Sequence, residues 1–387
     1  MKKFLMAAAL AAALCMVVAP MAMAGVIKVG GIFDITGPTS TVGKDYAAGA
    51  LAAVKYINET GGIGGDTLKL IPADYAYKIP EAVSLYKKYK GVDKVFAIQG
   101  WGTGDTVALS PMAKKDKIVF FSASFVGALT NPKKTPYNFF IAASYSTMIR
   151  LALLYAKENG AKKFVFIYPD HPYGKMPIKA GRAFAKKIGL QVGPDQFVGL
   201  RAIDATSQLL AMKKFDPDWA WIGGTTPSTA VILKDAAKLG LRTKFVINCW
   251  GFDENLPKLA GAAAEGRAFG MVPVVFYGMN VPGMATVKKY APKGIHQLHF
   301  VKGWTSVIVM AEGLRRAKKA GKLSGPGLKA ALETLKDYST GGLTPPITYT
   351  ATDHRPSTAC MIGGIKDGKA FIIKSVEFPR KPEYIGQ

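Results

Sequence analysis

The chain has 387 residues, 49% of them hydrophobic, and its 51 Lys and Arg against 26 Asp and Glu give a net charge of +25. The lysines stand in scattered short pairs such as Lys87-Lys88 and Lys162-Lys163, without one basic stretch interleaved with aromatics, which argues against a nucleic-acid-binding protein. No apolar run after the N-terminal segment is long enough for a membrane span, so composition favours a soluble protein biased toward anionic partners or surfaces.

Residues 1–24 have the three parts of a secretory signal peptide: two lysines, an apolar run, and an Ala-Met-Ala end with cleavage expected before Gly25. A membrane anchor is the alternative, but the apolar run is short and is interrupted at Pro20. Cys15 follows a leucine instead of a small residue, which argues against lipoprotein cleavage there. We therefore expect a soluble protein of residues 25–387 outside the cytoplasm. Removing 24 residues from 387 leaves 363, too many for one compact core, so we expect two domains.

A first series of alternating strand and helix patterns runs from residue 26 to residue 124. Strand-like stretches lie at 26–33, 67–75, 94–100 and 117–124, and helical patterns lie at 45–59, at 80–90 and after Thr106. Strands that alternate with helices of this length predict right-handed βαβ crossovers and a mostly parallel sheet.

The loop at residues 37–45, GPTSTVGKD, looks at first like a phosphate-binding loop. That motif needs four residues between its glycines and a Ser or Thr after the lysine, to cradle phosphates and bind magnesium. Here five residues intervene and Asp45 follows Lys44, where a carboxylate would repel a phosphate. We therefore expect this turn to serve another purpose than nucleotide binding.

A second series of the same kind begins near residue 144. Helical patterns lie at 147–159, 177–188, 204–214 and 228–239, and strand-like stretches lie at 163–168, 190–198, 219–224 and 244–248. Two such series predict an α/β fold with two doubly wound parallel-sheet lobes. The last third is less regular: it has a strand near 267–275, a long helix at 300–319, and two strands around the tight-turn pair Asp367-Gly368.

Ligands of open α/β sheets bind outside the carboxyl ends of the strands, so the loops after the strands are the candidate site. In the first series these loops hold hydroxyls and aromatic faces that suit a small carboxylate with an apolar body: Thr39, Trp101, Thr103, Ser122, Ser124 and Phe125. In the second series the corresponding loops hold Tyr173, Thr225 and Trp250. Helix caps and turns are the alternative for each loop, since Ser, Thr and Gly are favoured there anyway.

Catalytic and metal-binding patterns are missing from the sequence. There is no G-x-S-x-G, H-E-x-x-H or C-x-x-C motif, and no nucleophile is marked beside His171. His296 and His299 form an H-x-x-H pair without a third ligand nearby. We expect no catalytic residues, no metal and no cofactor. Cys249 and Cys360 remain after cleavage, and the sequence leaves open whether they form a disulfide or two free, buried thiols.

The chain resembles the periplasmic leucine/isoleucine/valine-binding proteins of branched-chain amino-acid ABC importers, which have the type I periplasmic-binding fold. The most specific part is the start of the mature chain, IKVGGIFDITGPTSTVGKDYAAGALAAVKYINETGGIGG, and the likeness continues through SASFVGALTNP, YPDHPYGK, KFDPDWAWIGG and LAGAAAEGRAFGMVP. It implies a ligand cleft between two lobes joined by three crossings near 143, 271 and 345. The lobes are then 25–143 with 272–345, and 144–271 with 346–387.

The resemblance also implies how a ligand is held. Thr103, Ser122 and Ser124 would bind its carboxylate, with Tyr173, Thr225 and Trp250 facing it from the second lobe. Members that bind amino acids usually have an acidic residue for the ammonium near the position of Trp250, where this sequence departs from the family. Three nearby acids are possible substitutes: Asp170, Asp253 and Glu254. Two ligand classes stay open, an apolar amino acid and an aromatic or other apolar carboxylate without an ammonium.

The implied function is a monomeric binding protein that closes on its ligand and presents it to a membrane permease. The partners are then a small carboxylate and the permease of an ABC importer, and no nucleic acid. A ligand-sensing receptor module on the same fold is the alternative, since a fold does not fix a function. An enzyme is not expected.

Overall fold

The computed structural model describes residues 25–387, so the signal peptide predicted for 1–24 lies outside the described residues. The strands are β1 (Val26–Phe33), β2 (Thr67–Asp74), β3 (Ala97–Gly100), β4 (Val119–Ser122), β5 (Asn138–Phe139), β6 (Lys163–Tyr168), β7 (Gln191–Val192), β8 (Gln196–Phe197), β9 (Trp219–Ile222), β10 (Lys244–Ile247), β11 (Ala268–Val272), β12 (Ala359–Lys366) and β13 (Lys369–Glu377). The α-helices are α1 (Ser40–Glu59), α2 (Ile79–Lys88), α3 (Thr103–Asp116), α4 (Tyr145–Glu158), α5 (Pro172–Lys175), α6 (Ile178–Lys187), α7 (Thr206–Lys213), α8 (Thr226–Lys238), α9 (Leu256–Ala260), α10 (Pro282–Tyr290), α11 (Leu298–Lys319) and α12 (Gly325–Leu332). None of these helices is long and apolar enough to cross a membrane.

The first sheet is entirely parallel, with strand order β2-β1-β3-β4-β5. The order reverses at β1, because β2 pairs on one side of it and β3 on the other. The β-branched, buried run of β1 is typical of a strand covered on both faces. This reversal places the loops after β1 and β3 at the crevice where doubly wound sheets bind ligands.

Helices α1 and α11 cross in close contact beside this sheet. A Cβ added at Gly49 would overlap the backbone oxygen of Phe300, and one added at Gly303 would overlap that of Tyr46. The absence of side chains at these two glycines lets the helix backbones approach closely. The late helix α11 is thereby fixed against the first helix of the chain.

The second sheet has the order β13-β12-β11-β10-β9-β6-β7, with β8 also pairing to β6. Its pairs from β6 to β11 are parallel, and the order reverses at β6. The predicted α/β fold with two doubly wound sheets is therefore confirmed, with one refinement. The last two strands, β12 and β13, join antiparallel as the predicted hairpin, which makes the second sheet mixed. Its turn residues Asp367 and Gly368 both have positive φ, 51° and 69°.

Two helices begin earlier than the sequence pattern predicts. Helix α1 starts at Ser40 instead of 45, because the carboxylate of Asp34 accepts hydrogen bonds from the amides of Gly37 and Thr39 and fixes the turn that leads into it. The stretch that mimics a phosphate-binding loop is thus mostly the first turns of a helix. Helix α3 starts at Thr103, where the sequence predicts a helix only after Thr106.

The remaining sequence predictions about organisation have different outcomes. Cys249 and Cys360 are both buried, free thiols, so the disulfide left open by the sequence is not formed. The strands of the first sheet fall within residues 26–139 and those of the second within 163–377. The exact lobe boundaries at 143, 271 and 345 stay a prediction.

Candidate functional site

One pocket lies where the reversal points of the two sheets face each other. It holds about 270 Å³ of space not filled by atoms, part of it open to solvent. Its eleven lining residues are Thr39, Val42, Tyr77, Trp101, Gly102, Thr103, Ala123, Tyr145, Tyr173, Thr225 and Trp250. They follow β1, β2, β3 and β4 of the first sheet and β6, β9 and β10 of the second, with Tyr145 at the start of α4.

The loop after β1 and the loop after β3 are joined by a chain of hydrogen bonds. The indole Nε1 of Trp101 donates to Thr39 Oγ1 at 2.8 Å, and Thr39 Oγ1 in turn donates to Asp34 Oδ2 at 2.5 Å. Asp34 is fully buried and also accepts the amide of Thr39. The hydroxyl of Thr39 is therefore used both as donor and as acceptor.

The N-terminus of α3 forms the next part of the wall. Thr103 Oγ1 lies 2.6 Å from Ser124 Oγ, and Thr106 Oγ1 lies 2.8 Å from Ser122 Oγ. Ser122 Oγ also accepts the amide of Ser124, which fixes the turn after β4. The first amides of a helix lack intrahelical acceptors and carry partial positive charge, so this end of α3 suits a carboxylate.

Gly102, which precedes α3, is held between two other groups. Its amide donates to Asp105 Oδ2 at 3.1 Å, and a Cβ at this position would collide with the hydroxyl of Tyr75 and the carboxylate of Asp105. Burial raises the pKa of Asp105 to about 6. The hydrogen bonds from Tyr75 and from the Gly102 amide favour the charged form and offset only part of this rise. The close packing of these groups positions the helix end beside the pocket.

Tyr77 enters the pocket from the loop after β2, which sequence reasoning did not include. Ala76 and Tyr77 both adopt left-handed backbone conformations, with φ of 49° and 61°, which side-chain-bearing residues rarely do. The ring of Tyr77 stacks on His171 of the second sheet at 5.0 Å between centroids and 29° between planes. The strained loop thus brings a first-sheet residue into contact with the opposite side of the cleft. No sequence signal marks it, because this loop is away from the reversal point.

The second sheet contributes three of the predicted residues. Tyr173 donates its hydroxyl to Gly224 O at 2.9 Å, and Trp250 Nε1 donates to the hydroxyl of Tyr145 at 2.8 Å. Thr225 precedes α8, and its buried Oγ1 has no hydrogen-bond partner among the described residues. Burial raises the pKa of Tyr145 and Tyr173 well above the ordinary value, so both hydroxyls stay neutral.

Trp250 stands at the centre of the aromatic contacts between the two sheets. Its ring makes an edge contact with Trp101, with 4.9 Å between centroids and 66° between planes, and stacks on Phe125 at 5.7 Å. A further stack with His299 has 5.3 Å between centroids and 11° between planes. The ammonium of Lys302 lies 3.9 Å from the ring centroid of Trp250. The indole is therefore held from several directions, and a cation lies against it.

His299 and Lys302 belong to a buried polar chain behind Trp250. Thr226 donates to Asp253 Oδ2 at 2.5 Å, and the same carboxylate oxygen lies 3.0 Å from His299 Nε2. Lys302 Nζ lies 3.3 Å from His299 Nδ1 and donates to Cys249 O at 2.6 Å. Because Asp253 accepts at Nε2, that nitrogen carries the imidazole proton, and Nδ1 accepts from Lys302.

The pKa values of the groups in this buried network follow from burial and from the charges and hydrogen bonds of their neighbours. Burial lowers the pKa of Lys302 to about 8 and, together with the nearby ammonium of Lys302, lowers that of His299. Burial raises the pKa of Asp253, but the hydrogen bonds from His299 and Thr226 outweigh it and leave the pKa below the ordinary value. At neutral pH this side-chain network thus consists of the Asp253 carboxylate, the neutral His299 imidazole and the Lys302 ammonium.

The structure brings most of the predicted site residues together. Six of the nine line the pocket: Thr39, Trp101, Thr103, Tyr173, Thr225 and Trp250. The other three lie directly behind it: Ser122 and Ser124 in the hydroxyl network at α3, and Phe125 against Trp250. Sequence reasoning missed Val42, Tyr77, Gly102, Ala123 and Tyr145. Gly102 and Ala123 stand inside loops that it had singled out, so the strand-end rule was sufficient to find them. Which of these residues bind ligand stays a prediction.

None of the three proposed ammonium partners lines the pocket. Asp170 is exposed and pairs with Lys175. Asp253 is buried and engaged with His299 and Thr226. Glu254 accepts the amides of Tyr277 and Leu298 at 2.6 and 3.0 Å, and burial raises its pKa to about 7.

His296 and His299 point to different partners. His296 Nδ1 lies 2.8 Å from Asp45, and its Nε2 lies 2.9 Å from Pro292 O, whereas His299 lies between Asp253 and Lys302. Within residues 25–387, no cluster of three or more His, Cys, Asp or Glu side chains is arranged to hold a metal.

Comparisons with known proteins agree on one type of molecule. A family model described as periplasmic binding protein matches residues 26–370. The Leu/Ile/Val-binding protein of Escherichia coli (strain K12) is 27% identical over 270 residues, 67% of this chain and 71% of that protein. A substrate-binding protein of an ABC transporter from Aeropyrum pernix has a crystal structure that is 32% identical, with a TM-score of 0.88 over 94% of this chain and 100% of that one. A branched-chain amino-acid ABC transporter protein from Thermus thermophilus, crystallised with bound valine, is 22% identical with a TM-score of 0.86, over 93% of this chain and 98% of that one.

Proposed function

This chain belongs to the periplasmic binding protein family, in its Leu/Ile/Val-binding group, and on that premise we propose that it captures a small carboxylate outside the cytoplasm and delivers it to the permease of an ABC importer. Members of this family are solute-binding proteins, so this chain is not an enzyme, as the sequence predicts. The sensory alternative is not favoured, because the similar protein from Aeropyrum pernix is a substrate-binding protein of an ABC transporter.

The observation that carries the proposal is that the reversal points of both sheets line one pocket. Residues from opposite sheets contact each other around it: Trp250 contacts Trp101, and His171 stacks on Tyr77. At the rim, Arg201 donates to Thr36 O at 3.3 Å. A ligand enclosed between two lobes stabilises such contacts, and closure changes the surface that a permease meets.

In this proposal the carboxylate is bound at the N-terminus of α3. The hydroxyls of Thr103 and Ser124 lie beside the free helix amides, and hydrogen bonds to a charged group are worth about 1.5–3 kcal/mol each. The aromatic walls from Trp101 and Trp250 would cover the apolar part of the ligand.

The location and the partners are further parts of the proposal. The N-terminal segment 1–24 would direct export and be removed, leaving a protein of residues 25–387 in the periplasm. We expect this protein to act as a monomer that docks on a permease in its closed form.

The test measures ligand-induced stabilisation of residues 25–387. A panel of aliphatic amino acids, aromatic amino acids and organic acids is added, and the thermal midpoint is recorded. A ligand at about 100 times its dissociation constant should stabilise the folded state by about 2.7 kcal/mol, and small-angle X-ray scattering should show a smaller radius of gyration. A panel that yields neither a midpoint shift nor compaction would overturn the proposed function.

A variant pair tests the carboxylate subsite. Thr103→Val removes a hydroxyl with little change in shape, and we expect about 10- to 100-fold weaker binding of the ligand found in the panel. Thr67→Val is the matched control, because Thr67 is exposed at the start of β2, the end of the strand opposite to the loop that carries Tyr77. Equal affinities of the two variants would remove Thr103 from the site.

A further inference from the structure

We propose that the ligand of this pocket is an apolar monocarboxylate without an ammonium group. The inference rests on the proposed function and specifies the substrate class of the same site. It decides between the two classes that the sequence left open, and the observations that carry it concern which polar atoms of the pocket are still free.

The pocket offers no carboxylate to an ammonium. None of its eleven lining residues, all within the described part of the chain, is Asp or Glu. The nearest acids lie one layer behind and are each occupied. Asp34 accepts from the amides of Gly37 and Thr39 and from the hydroxyl of Thr39. Asp105 accepts from Tyr75 and from the amide of Gly102.

Asp253, the remaining buried acid near the pocket, has even less hydrogen-bond acceptor capacity left. One of its oxygens is bonded to Thr226 and His299, and the other accepts the amides of Asn255 and Leu256. Trp250 lies between this network and the pocket, because it lines the pocket and stacks on His299. An ammonium therefore has no direct path to the carboxylate.

Several hydroxyl oxygens of the pocket are also committed. Thr39 Oγ1 already donates to Asp34 and accepts from Trp101, and the hydroxyl of Tyr145 accepts from Trp250. Thr225 Oγ1 has no partner and the hydroxyl of Tyr173 only donates, to Gly224 O, so the acceptors left in the described lining are neutral hydroxyls and none is a carboxylate. An ammonium has three donors and no acceptor capacity, and a buried charge without partners is costly.

A carboxylate, in contrast, meets hydrogen-bond donors and the positive end of a helix dipole. The N-terminus of α3 faces it with the Thr103 hydroxyl, which is hydrogen-bonded to Ser124 behind the pocket, and the dipole of this 14-residue helix favours negative charge there. The ammonium of Lys302, 3.9 Å from the ring centroid of Trp250, adds a positive charge directly behind the wall. The same cation repels a ligand ammonium.

The test uses matched pairs of ligands that differ only by the amino group. Residues 25–387 are freed of co-purified ligand by unfolding in guanidinium and refolding, and then titrated calorimetrically with 4-methylpentanoate and L-leucine, and with 3-phenylpropanoate and L-phenylalanine. In at least one pair we expect the acid without the amino group to bind about 100-fold tighter than its amino-acid partner, the effect of a buried ammonium left without acceptors.

The outcomes separate the two proposals. Amino acids that bind as tightly as their partners, or more tightly, overturn the inference and leave the proposed function intact. Binding of other amino acids of the panel with no binding of either pair has the same meaning, whereas binding of another apolar monocarboxylate supports the inference. If no solute binds, the proposed function fails, and the inference fails with it.

A gain-of-function variant tests the physical reason. Thr225→Asp adds a carboxylate at the position whose hydroxyl is free, and Asp is a favourable residue before a helix. We expect the affinity ratio of amino acid to plain acid to rise by at least 10-fold in this variant and to stay unchanged in the exposed control Thr67→Asp. The ratio compares two ligands on one protein, so a general loss of stability does not change it. An unchanged ratio in Thr225→Asp would show that missing acceptors do not set the preference.

Discussion

Lys302 should make the stability of this protein depend on pH in an unusual direction. Its ammonium is fully buried in α11, between Cys249 O, His299 and the ring of Trp250. Burial lowers its pKa from 10.5 to about 8. At 1.36 kcal/mol per pH unit, this difference corresponds to about 3 kcal/mol.

The direction of the pH dependence follows from how many protons the folded and the unfolded chain bind. Between pH 8 and pH 10.5 the unfolded chain keeps the proton that the folded chain has released, so the unfolded state binds more protons. The free energy of unfolding therefore rises with pH through this window. Put differently, Lys302 destabilises the fold at neutral pH, and the penalty disappears as pH approaches the unfolded pKa.

The measurement is a pair of denaturant unfolding curves at pH 7.5 and pH 9.5 for wild type and Lys302→Met. The methionine has similar length and does not titrate, so subtracting its free energy of unfolding removes the effect of titrating groups that do not interact with Lys302. We expect the difference, wild type minus variant, to rise by about 2 kcal/mol over this interval, the part of the penalty that lies within it. Lys319→Met, at an exposed position of the same helix, is the control and should give a constant difference.

A constant difference for Lys302→Met as well would refute the reasoning. It would mean that Asp253, Cys249 O and the Trp250 ring stabilise the ammonium enough to keep it protonated beyond pH 9.5. The cation would then contribute its full field to the pocket at every pH tested.

Three further predictions concern packing, the pocket wall and the thiols. Gly303→Ala should lower the free energy of unfolding by about 1–3 kcal/mol, because the new methyl overlaps the backbone of α1. The control Gly91→Ala places its methyl in open space, and its free energy of unfolding should stay within about 0.5 kcal/mol of wild type in the same denaturant assay. Trp250→Phe loses the indole hydrogen bond to Tyr145, and ligand titration should show about 3- to 10-fold weaker binding; unchanged affinity would contradict the role of this wall. Cys249 and Cys360 should resist a thiol reagent in native residues 25–387, and both should react in guanidinium without reductant. If neither thiol reacts in guanidinium until a reductant is added, the two form a disulfide.

Much of the candidate site follows from one rule applied to the sequence. Polar and aromatic residues that come directly after strand patterns, such as Thr103, Thr225 and Trp250, were expected at the carboxyl edge of a parallel sheet, and they line the pocket. Tyr77 was missed, because it follows an outer strand and enters the pocket only through a left-handed turn. Tyr145 was missed because it begins a helix and follows no strand pattern that sequence reasoning had singled out.

The sequence by itself determined the alternation of strands and helices, the α/β class with two sheets, the hairpin at Asp367-Gly368 and the loops that form the cleft. These features depend on residues close together in the chain, where periodicity and turn preferences act directly. Only the tertiary structure decided which acids are free. In the sequence Asp253 is a candidate ammonium partner, but its carboxylate is bonded to His299, which is 46 residues further along the chain. Hydrogen-bond capacity is limited, and which donor uses it depends on contacts between distant segments that no local pattern encodes.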